Sequence, residues 1–146
     1  MTNPDEPPRG AGRCMCGAVA FEVRGPLRDV IACHCDECRR SSGSYWAATL
    51  ARRQDLTIIE EGLLTWYESS PGIRRGFCGG CGSSLFWDKE GRPFMAISAG
   101  SLDKPTGLNL VAHIFTAEAG DYYPLADRLP AFAEGNHGVV FPPPGW

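Results

Sequence analysis

The chain has 146 residues and a mass of 15.8 kDa, which is the size of a single domain. Its content of hydrophobic residues (43%) and charged residues (21%) is that of a soluble globular protein, not of a disordered or membrane protein. The net charge of −3 comes without a dense run of either sign, so nothing in the sequence favours a nucleic acid or an anionic membrane as a partner.

The sequence predicts one folded domain with a short extension at each end. Residues 1–12 are polar and rich in Pro and Gly, and they are predicted to form a disordered leader. Residues 135–146 are predicted to form a Pro-rich tail, which leaves residues 13–134 as the folded domain. Because the chain starts without the apolar stretch of a secretory signal, we expect a cytoplasmic protein whose thiols stay reduced.

Short strands separated by turn signals dominate the middle of the chain. Ala18–Val23 alternates apolar and other side chains, as a half-buried strand does. Further strands are predicted at Tyr45–Ala51, Leu56–Glu60, Leu64–Glu68, Ile73–Phe77, Ser84–Trp87, Phe94–Ser98 and Leu110–Phe115. Helix is predicted only at Cys35–Ser41 and Leu125–Ala133. The pattern indicates a mainly β protein of antiparallel sheets, whose exposed edges make a homodimer possible.

The seven cysteines fall into three groups whose spacing is typical of metal ligands. The groups are Cys14-x-Cys16, Cys33-x-Cys35-x-x-Cys38 and Cys78-x-x-Cys81. Two thiolates a few residues apart can bind one tetrahedral ion, and the glycines of the last group let the chain turn back over that ion. The odd number of cysteines argues against a closed disulfide framework.

Two partitions of these sulfurs are possible. In the first, Cys14 and Cys16 join Cys78 and Cys81 in a closed site of four thiolates, and the remaining three cysteines form a second site with an open position. A closed set of four is the pattern of a structural zinc, whereas three ligands with an open position is the pattern of a catalytic zinc. In the second partition the triplet takes one further cysteine, and three ligands are left in two distant places.

Other interpretations remain for individual residues. Cys35 and Cys38 could form a redox Cys-x-x-Cys pair, although no strand–helix context of the thioredoxin type surrounds them. His34 is a possible fourth ligand, but its place between two ligating cysteines predicts that it points away from their metal. His113 lies in an apolar strand and is predicted to be packed or hydrogen-bonded.

Arginines close to the cysteines suggest an anion site. Arg39 and Arg40 follow the triplet, and either could pair with a substrate carboxylate if it is not simply solvated. Arg74 and Arg75, just before the last cysteine group, could do the same. The tryptophans at strand positions are predicted to be core residues; they are Trp46, Trp66 and Trp87.

The ordered series of motifs resembles one known family. The motifs are RCMCGAVAFE from Arg13, CHCDECRRSSGS from Cys33, FCGGCGSSLF from Phe77, HIFT from His113 and DRLPAF from Asp127. This series resembles the glutathione-dependent formaldehyde-activating enzymes, a family that includes centromere protein V, and all seven cysteines fall on the motif positions of that family. The resemblance implies a β-tent of stacked short antiparallel sheets built around zinc-binding cysteine knuckles.

The resemblance also implies the zinc sites and the chemistry. A structural zinc is expected on Cys14, Cys16, Cys78 and Cys81, and a second, catalytic zinc on Cys33, Cys35 and Cys38. The implied activity is that of a carbon–sulfur lyase that joins glutathione to formaldehyde as S-(hydroxymethyl)glutathione. The alternative is a zinc module without catalysis that captures a thiol metabolite or a protein partner.

Overall fold

A computed structural model describes residues 3–135 and Trp146. Ten strands are present: β1 (Gly10–Arg13), β2 (Ala20–Val23), β3 (Val30–Cys33), β4 (Trp46–Arg52), β5 (Leu56–Glu60), β6 (Leu64–Ser70), β7 (Ile73–Cys78), β8 (Ser84–Lys89), β9 (Phe94–Ser98) and β10 (Leu110–Ile114). One α-helix, α1, spans Asp36–Ser42. Single turns of 3-10 helix lie at Arg53–Asp55, Ala99–Ser101 and Thr116–Glu118. None of the helices described is long and apolar enough to cross a membrane.

The strands form two sheets, so the protein is mainly β as the sequence predicts. The smaller sheet has the order β1-β2-β5, and the larger has the order β10-β3-β4-β9-β8-β7-β6. All paired strands run antiparallel except β10 and β3, which are parallel. This one pair differs from the predicted antiparallel arrangement, because the long stretch of chain between β3 and β10 allows the crossover that a parallel pair needs.

Most of the apolar core belongs to one cluster that joins the two sheets. Phe21 of β2 meets Phe86 of β8 edge to face, with ring centroids 5.3 Å apart. Full burial of each such ring contributes roughly 1.5–3 kcal/mol to the free energy of folding. Gly12 lies against this contact, and a Cβ there would come within 2.5 Å of the Phe21 ring and of the Ser101 carbonyl oxygen. The close approach of β1 therefore requires glycine at this position.

A second, smaller apolar cluster covers the opposite face of the larger sheet. Alternate residues of β9 divide between the clusters: Ile97 belongs to the first, and Ala96 belongs to the second. The second cluster contains Trp46 and Cys38, so it places α1 on this face. Trp146 packs against the same cluster, with its ring centroid 6.1 Å from that of Phe94.

The strands and the first helix predicted from the sequence lie close to those in the structure. Each of the eight predicted strands overlaps an observed strand, and the helix predicted at Cys35–Ser41 is α1, which is capped by Cys35. Two strands were not predicted. The first, β1, starts at Gly10, inside the range predicted as leader, and it is held by pairing with β2 because it has almost no apolar side chains of its own. The second is β3, a strand of four residues that runs directly into the cysteine triplet at Cys33.

The helix predicted at Leu125–Ala133 is wrong. This segment is irregular, and it bonds to β10 through the His113 N–H to the Pro130 carbonyl (2.9 Å) and the Phe132 N–H to the His113 carbonyl (2.9 Å). Arg128 adopts a positive φ of 62°. Pro130, which has no N–H to donate, and the left-handed Arg128 both oppose a helix here.

Candidate metal centres

Four cysteine sulfurs meet between the two sheets. This four-cysteine cluster consists of Cys14, Cys16, Cys78 and Cys81, whose sulfurs all lie within 4.8 Å of one another. The Sγ of Cys16 is 3.6 Å from that of Cys14 and 3.7 Å from that of Cys78. A tetrahedral zinc ion with Zn–S bonds of about 2.3 Å holds its sulfurs roughly 3.8 Å apart. The four thiols are free, and the two sulfur–sulfur distances given above are close to this spacing.

Backbone N–H groups surround the sulfurs of this cluster. The Sγ of Cys78 accepts hydrogen bonds from the N–H groups of Gly80 (3.4 Å) and Cys81 (3.5 Å), and the Sγ of Cys14 accepts one from Val19 (3.3 Å). Gly82 follows with a φ of 78°, which closes the turn. Donors aimed at sulfur favour the thiolate, which is the form that binds a metal.

The remaining three cysteines form a separate cluster on the opposite face of the larger sheet. In this three-cysteine cluster the sulfurs of Cys33, Cys35 and Cys38 lie within 4.8 Å of one another. Cys33 ends β3, Cys35 caps the N-terminus of α1, and Cys38 lies in the first turn of that helix. Cys38 is buried, whereas Cys33 and Cys35 are half-buried. Among residues 3–135 and Trp146, no fourth His, Cys, Asp or Glu completes the set.

Hydrogen bonds among these three sulfurs concentrate negative charge on Cys35. Its Sγ accepts from the backbone N–H of Cys38 (3.3 Å), and hydrogen bonds from Cys33 and then Cys38 lower the pKa of Cys35 to about 2. The bond to Cys35 raises the pKa of Cys33. These bonds favour the thiolate form of Cys35, and a divalent cation would displace the protons that remain on the cluster.

His34 points away from the three-cysteine cluster into a buried chain of hydrogen bonds. Its Nδ1 is 2.6 Å from the Tyr123 hydroxyl, and its Nε2 is 2.8 Å from Nδ1 of His113. The Nε2 of His113 is in turn 2.7 Å from Oδ2 of Asp127. Both ring nitrogens of His34 are occupied, so the side chain is not available as a metal ligand. We call these four residues the histidine chain.

One arrangement of protons satisfies every bond of the histidine chain. The carboxylate of Asp127 accepts from Nε2–H of His113, whose Nδ1 then accepts from Nε2–H of His34. The Nδ1 of His34 accepts from the hydroxyl of Tyr123. Burial, followed by the proximity of His113, lowers the pKa of His34, which keeps that ring neutral. His113 is hydrogen-bonded as the sequence predicts, but nothing local in the sequence points to Tyr123 or Asp127.

Replacing Tyr123 with phenylalanine is expected to lower the free energy of unfolding by roughly 1–3 kcal/mol, because it leaves a buried imidazole nitrogen without its donor. Tyr122→Phe is the matched control, since this residue is exposed and its hydroxyl donates to the carbonyl of the exposed Gly43 (2.8 Å). Urea unfolding of the two variants measures the difference. Equal losses would mean that the bond to His34 adds nothing.

The structure changes the interpretation of the arginines. Arg39 and Arg40 both pair with Asp36 of their own helix, at 2.6 Å and 3.0 Å. The arginine that reaches the three-cysteine cluster is Arg75, whose Nη2 lies 3.6 Å from the Sγ of Cys38. Its neighbour Arg74 lies over the ring of Trp66 instead, 3.9 Å from the ring centroid.

The tryptophans occupy packed positions to different extents. Trp46 is buried in the second apolar cluster, and the half-buried Trp87 packs against it. Trp66 is half-buried against the first cluster. The prediction of core positions therefore holds fully for Trp46 and in part for the other two.

Stacked sheets that carry two compact sets of cysteine sulfurs define a mainly β protein with two candidate metal centres. Residues 9–118 match the model of the glutathione-dependent formaldehyde-activating enzyme family, and the chain belongs to that family. A crystal structure of a Rhodobacter sphaeroides protein is similar, with 30% sequence identity and a TM-score of 0.55 over 64% of this chain and 88% of that chain. No curated protein sequence matches the chain.

Proposed function

We propose that the chain binds two zinc ions, one in each cysteine cluster. The observation that supports this most directly is the spacing of the sulfurs, which in both clusters suits tetrahedral coordination. Four thiolates complete the coordination of a structural ion, whereas three leave one position for an incoming ligand. The ligands of the structural ion would be Cys14, Cys16, Cys78 and Cys81, and those of the second ion would be Cys33, Cys35 and Cys38.

We further propose that the protein is a carbon–sulfur lyase-type enzyme whose substrates are formaldehyde and a thiol such as glutathione. At the three-cysteine cluster a bound zinc ion with an open position would lower the pKa of an incoming thiol and so supply a thiolate at neutral pH. In the overall reaction the thiol sulfur bonds to the carbonyl carbon, and the carbonyl π electrons move to oxygen. The proton lost by the thiol ends on that oxygen, so the product is an S-hydroxymethyl thioether. Membership of the family supports this choice of substrates.

The chain's own residues hold the three sulfurs in place for this reaction. Cys33 is fixed by the pairing of β3 with β4 and β10, and Cys35 by its cap bond to the N–H of Cys38. Because Cys33 and Cys35 are only half-buried, a ligand can approach their side of the cluster. The buried Cys38 anchors the other side.

One observation favours the alternative, in which the cluster captures a thiol without catalysis. Among the residues described, Arg75 is the residue outside the cluster whose side chain hydrogen-bonds to one of these sulfurs. A guanidinium keeps its proton at any physiological pH and so cannot deliver one to oxygen. Thiols also add to formaldehyde without help, so the catalytic contribution required is small.

A glutathione titration of cobalt-loaded protein tests the proposal, after a metal analysis that is expected to give two ions per chain. The thiolate-to-cobalt charge-transfer bands are expected to change saturably as the thiol enters the open position, and turnover of formaldehyde then separates catalysis from capture. Bands that stay fixed with both sites loaded would contradict thiol binding. A thiol count that falls on mild oxidation, with no metal at the three-cysteine cluster, would favour a Cys35–Cys38 redox pair.

A further inference from the structure

Two consecutive arginines of β7 point to opposite faces of the larger sheet. Arg74 lies over Trp66 and pairs with Asp88 at 3.0 Å, on the face that carries the first apolar cluster. Arg75 lies on the other face, where its Nη2 approaches the Sγ of Cys38 at 3.6 Å and Oε2 of Glu37 at 3.4 Å. The two side chains therefore differ in surroundings while they share a strand.

Arg75 is a largely buried cation whose side-chain partners are one exposed carboxylate and one sulfur. Its side chain is only 11% exposed, whereas its carboxylate neighbour, Glu37, is 48% exposed and at the limit of a hydrogen bond. A buried guanidinium is costly unless an anion lies beside it. Besides the exposed carboxylate of Glu37, the group that the Nη2 of Arg75 contacts is the Sγ of Cys38, at 3.6 Å.

Two buried N–H groups on this face have no acceptor among the residues described. One is Nε of Arg75 itself, and the other is Nε1 of Trp46, which belongs to the same apolar cluster as Cys38. Leaving a buried donor unpaired costs roughly 1–3 kcal/mol. Such groups are expected where a ligand brings its own acceptor atoms.

The four-cysteine cluster differs from the three-cysteine cluster in its hydrogen-bond donors and in its number of ligands. There the sulfurs receive backbone N–H groups and the Ser83 hydroxyl, and the set of four ligands is already complete. A divalent ion on three thiolates carries a net charge of −1, and a fourth thiolate would make it −2. A cation beside Cys38 offsets that added charge, which a neutral ligand would not need.

We propose that Arg75 is the specificity-determining residue that makes the three-cysteine cluster accept an anionic ligand, such as a thiolate, in preference to a neutral one. The inference rests on the proposed metal at this cluster. It concerns the choice of ligand and not the chemistry that follows. Arg75 acts through its charge and its N–H groups, and it does not release a proton to the reactants.

The test compares Arg75→Met with Arg74→Met, which removes an equal charge from the adjacent position on the opposite face. Cobalt-loaded proteins are titrated with glutathione, with azide as an anion that is not a thiol, and with imidazole as a neutral ligand. Arg75→Met is expected to weaken glutathione and azide binding roughly 10- to 100-fold while leaving imidazole binding unchanged. Arg74→Met is expected to change none of the three, and Arg75→Lys is expected to restore most of the azide affinity.

Each outcome separates this inference from the proposed function. If wild-type protein binds glutathione, and Arg75→Met binds glutathione and azide as tightly as the wild type does, the inference is overturned and the proposed function stands. If wild-type protein binds azide but not glutathione, the thiol reaction fails, and the azide comparison alone decides the role of Arg75. Equal weakening of imidazole would show a structural role and overturn the inference. Should Arg75→Met fail to fold, Arg75→Lys and Arg75→Gln give the same comparison with and without the charge.

Discussion

Cys78→Ser is expected to unfold the protein. The Sγ of Cys78 is fully buried and lies 3.7 Å from that of Cys16, in the cluster that joins the chain near residue 14 to the end of β7. In small zinc-binding peptides a structural ion contributes on the order of 10–16 kcal/mol to folding. The whole stability of a typical domain is about 5–15 kcal/mol, so loss of the proposed ion would leave no margin. The loss of soluble protein and of the far-UV circular dichroism spectrum measures the effect.

The control for this prediction is Cys38→Ser, which is also buried but belongs to the three-cysteine cluster. It is expected to remain folded and to bind about one metal ion fewer than the wild type. A chelator is likewise expected to unfold the wild-type protein only when it strips the four-cysteine cluster. If Cys38→Ser lost as much soluble protein as Cys78→Ser, the division into a structural and a second site would be wrong.

The second large effect is expected from Cys35→Ser, which should abolish thiol-dependent turnover above the uncatalysed background. Hydrogen bonds from Cys33 and Cys38 lower the pKa of Cys35 and so favour its thiolate, and a hydroxyl does not replace a thiolate as a ligand for zinc. The fold should survive, because the side chain of Cys35 caps α1 through the N–H of Cys38 and serine is a favoured residue at that position.

Turnover is measured as the rate of S-(hydroxymethyl)glutathione formation, with thermal unfolding of the same sample as the check on folding. Ser41→Ala, on the same short helix, serves as the matched control and is expected to keep its activity. A folded Cys35→Ser protein with wild-type turnover would remove the three-cysteine cluster from the mechanism.

Local patterns were enough to predict the cysteine clusters and most of the strands. The spacing of Cys78 and Cys81 fixes a turn by itself, and the alternation in β2 shows which face is buried. The pattern fails where pairing decides the structure, as in β1, whose Gly-Ala-Gly sequence becomes a strand only beside β2. It fails in the same way at Leu125–Ala133, where apolar residues suggest a helix but the backbone bonds to His113 of β10 instead.

The contacts that the sequence did not reveal join residues that are far apart along the chain. Tyr123 reaches His34 across 89 positions, and Arg75 reaches Cys38 across 37. Neither tyrosine nor arginine carries a spacing signal of the kind that cysteine ligands do. Only the folded sheet shows that Arg75, and not Arg39 or Arg40, lies beside the sulfur.

The short distance along β7 between Arg75 and Cys78 has a consequence for how the end of the larger sheet aligns. Three residues of strand span roughly 10 Å, so a metal that holds Cys78 also fixes which side chains of β7 face each way. A slip of one residue would bring Arg74 to the three-cysteine cluster and turn Arg75 toward Trp66. A metal bound at the four-cysteine cluster would therefore also hold Arg75 on the face of the three-cysteine cluster, because Cys78 and Arg75 belong to the same strand.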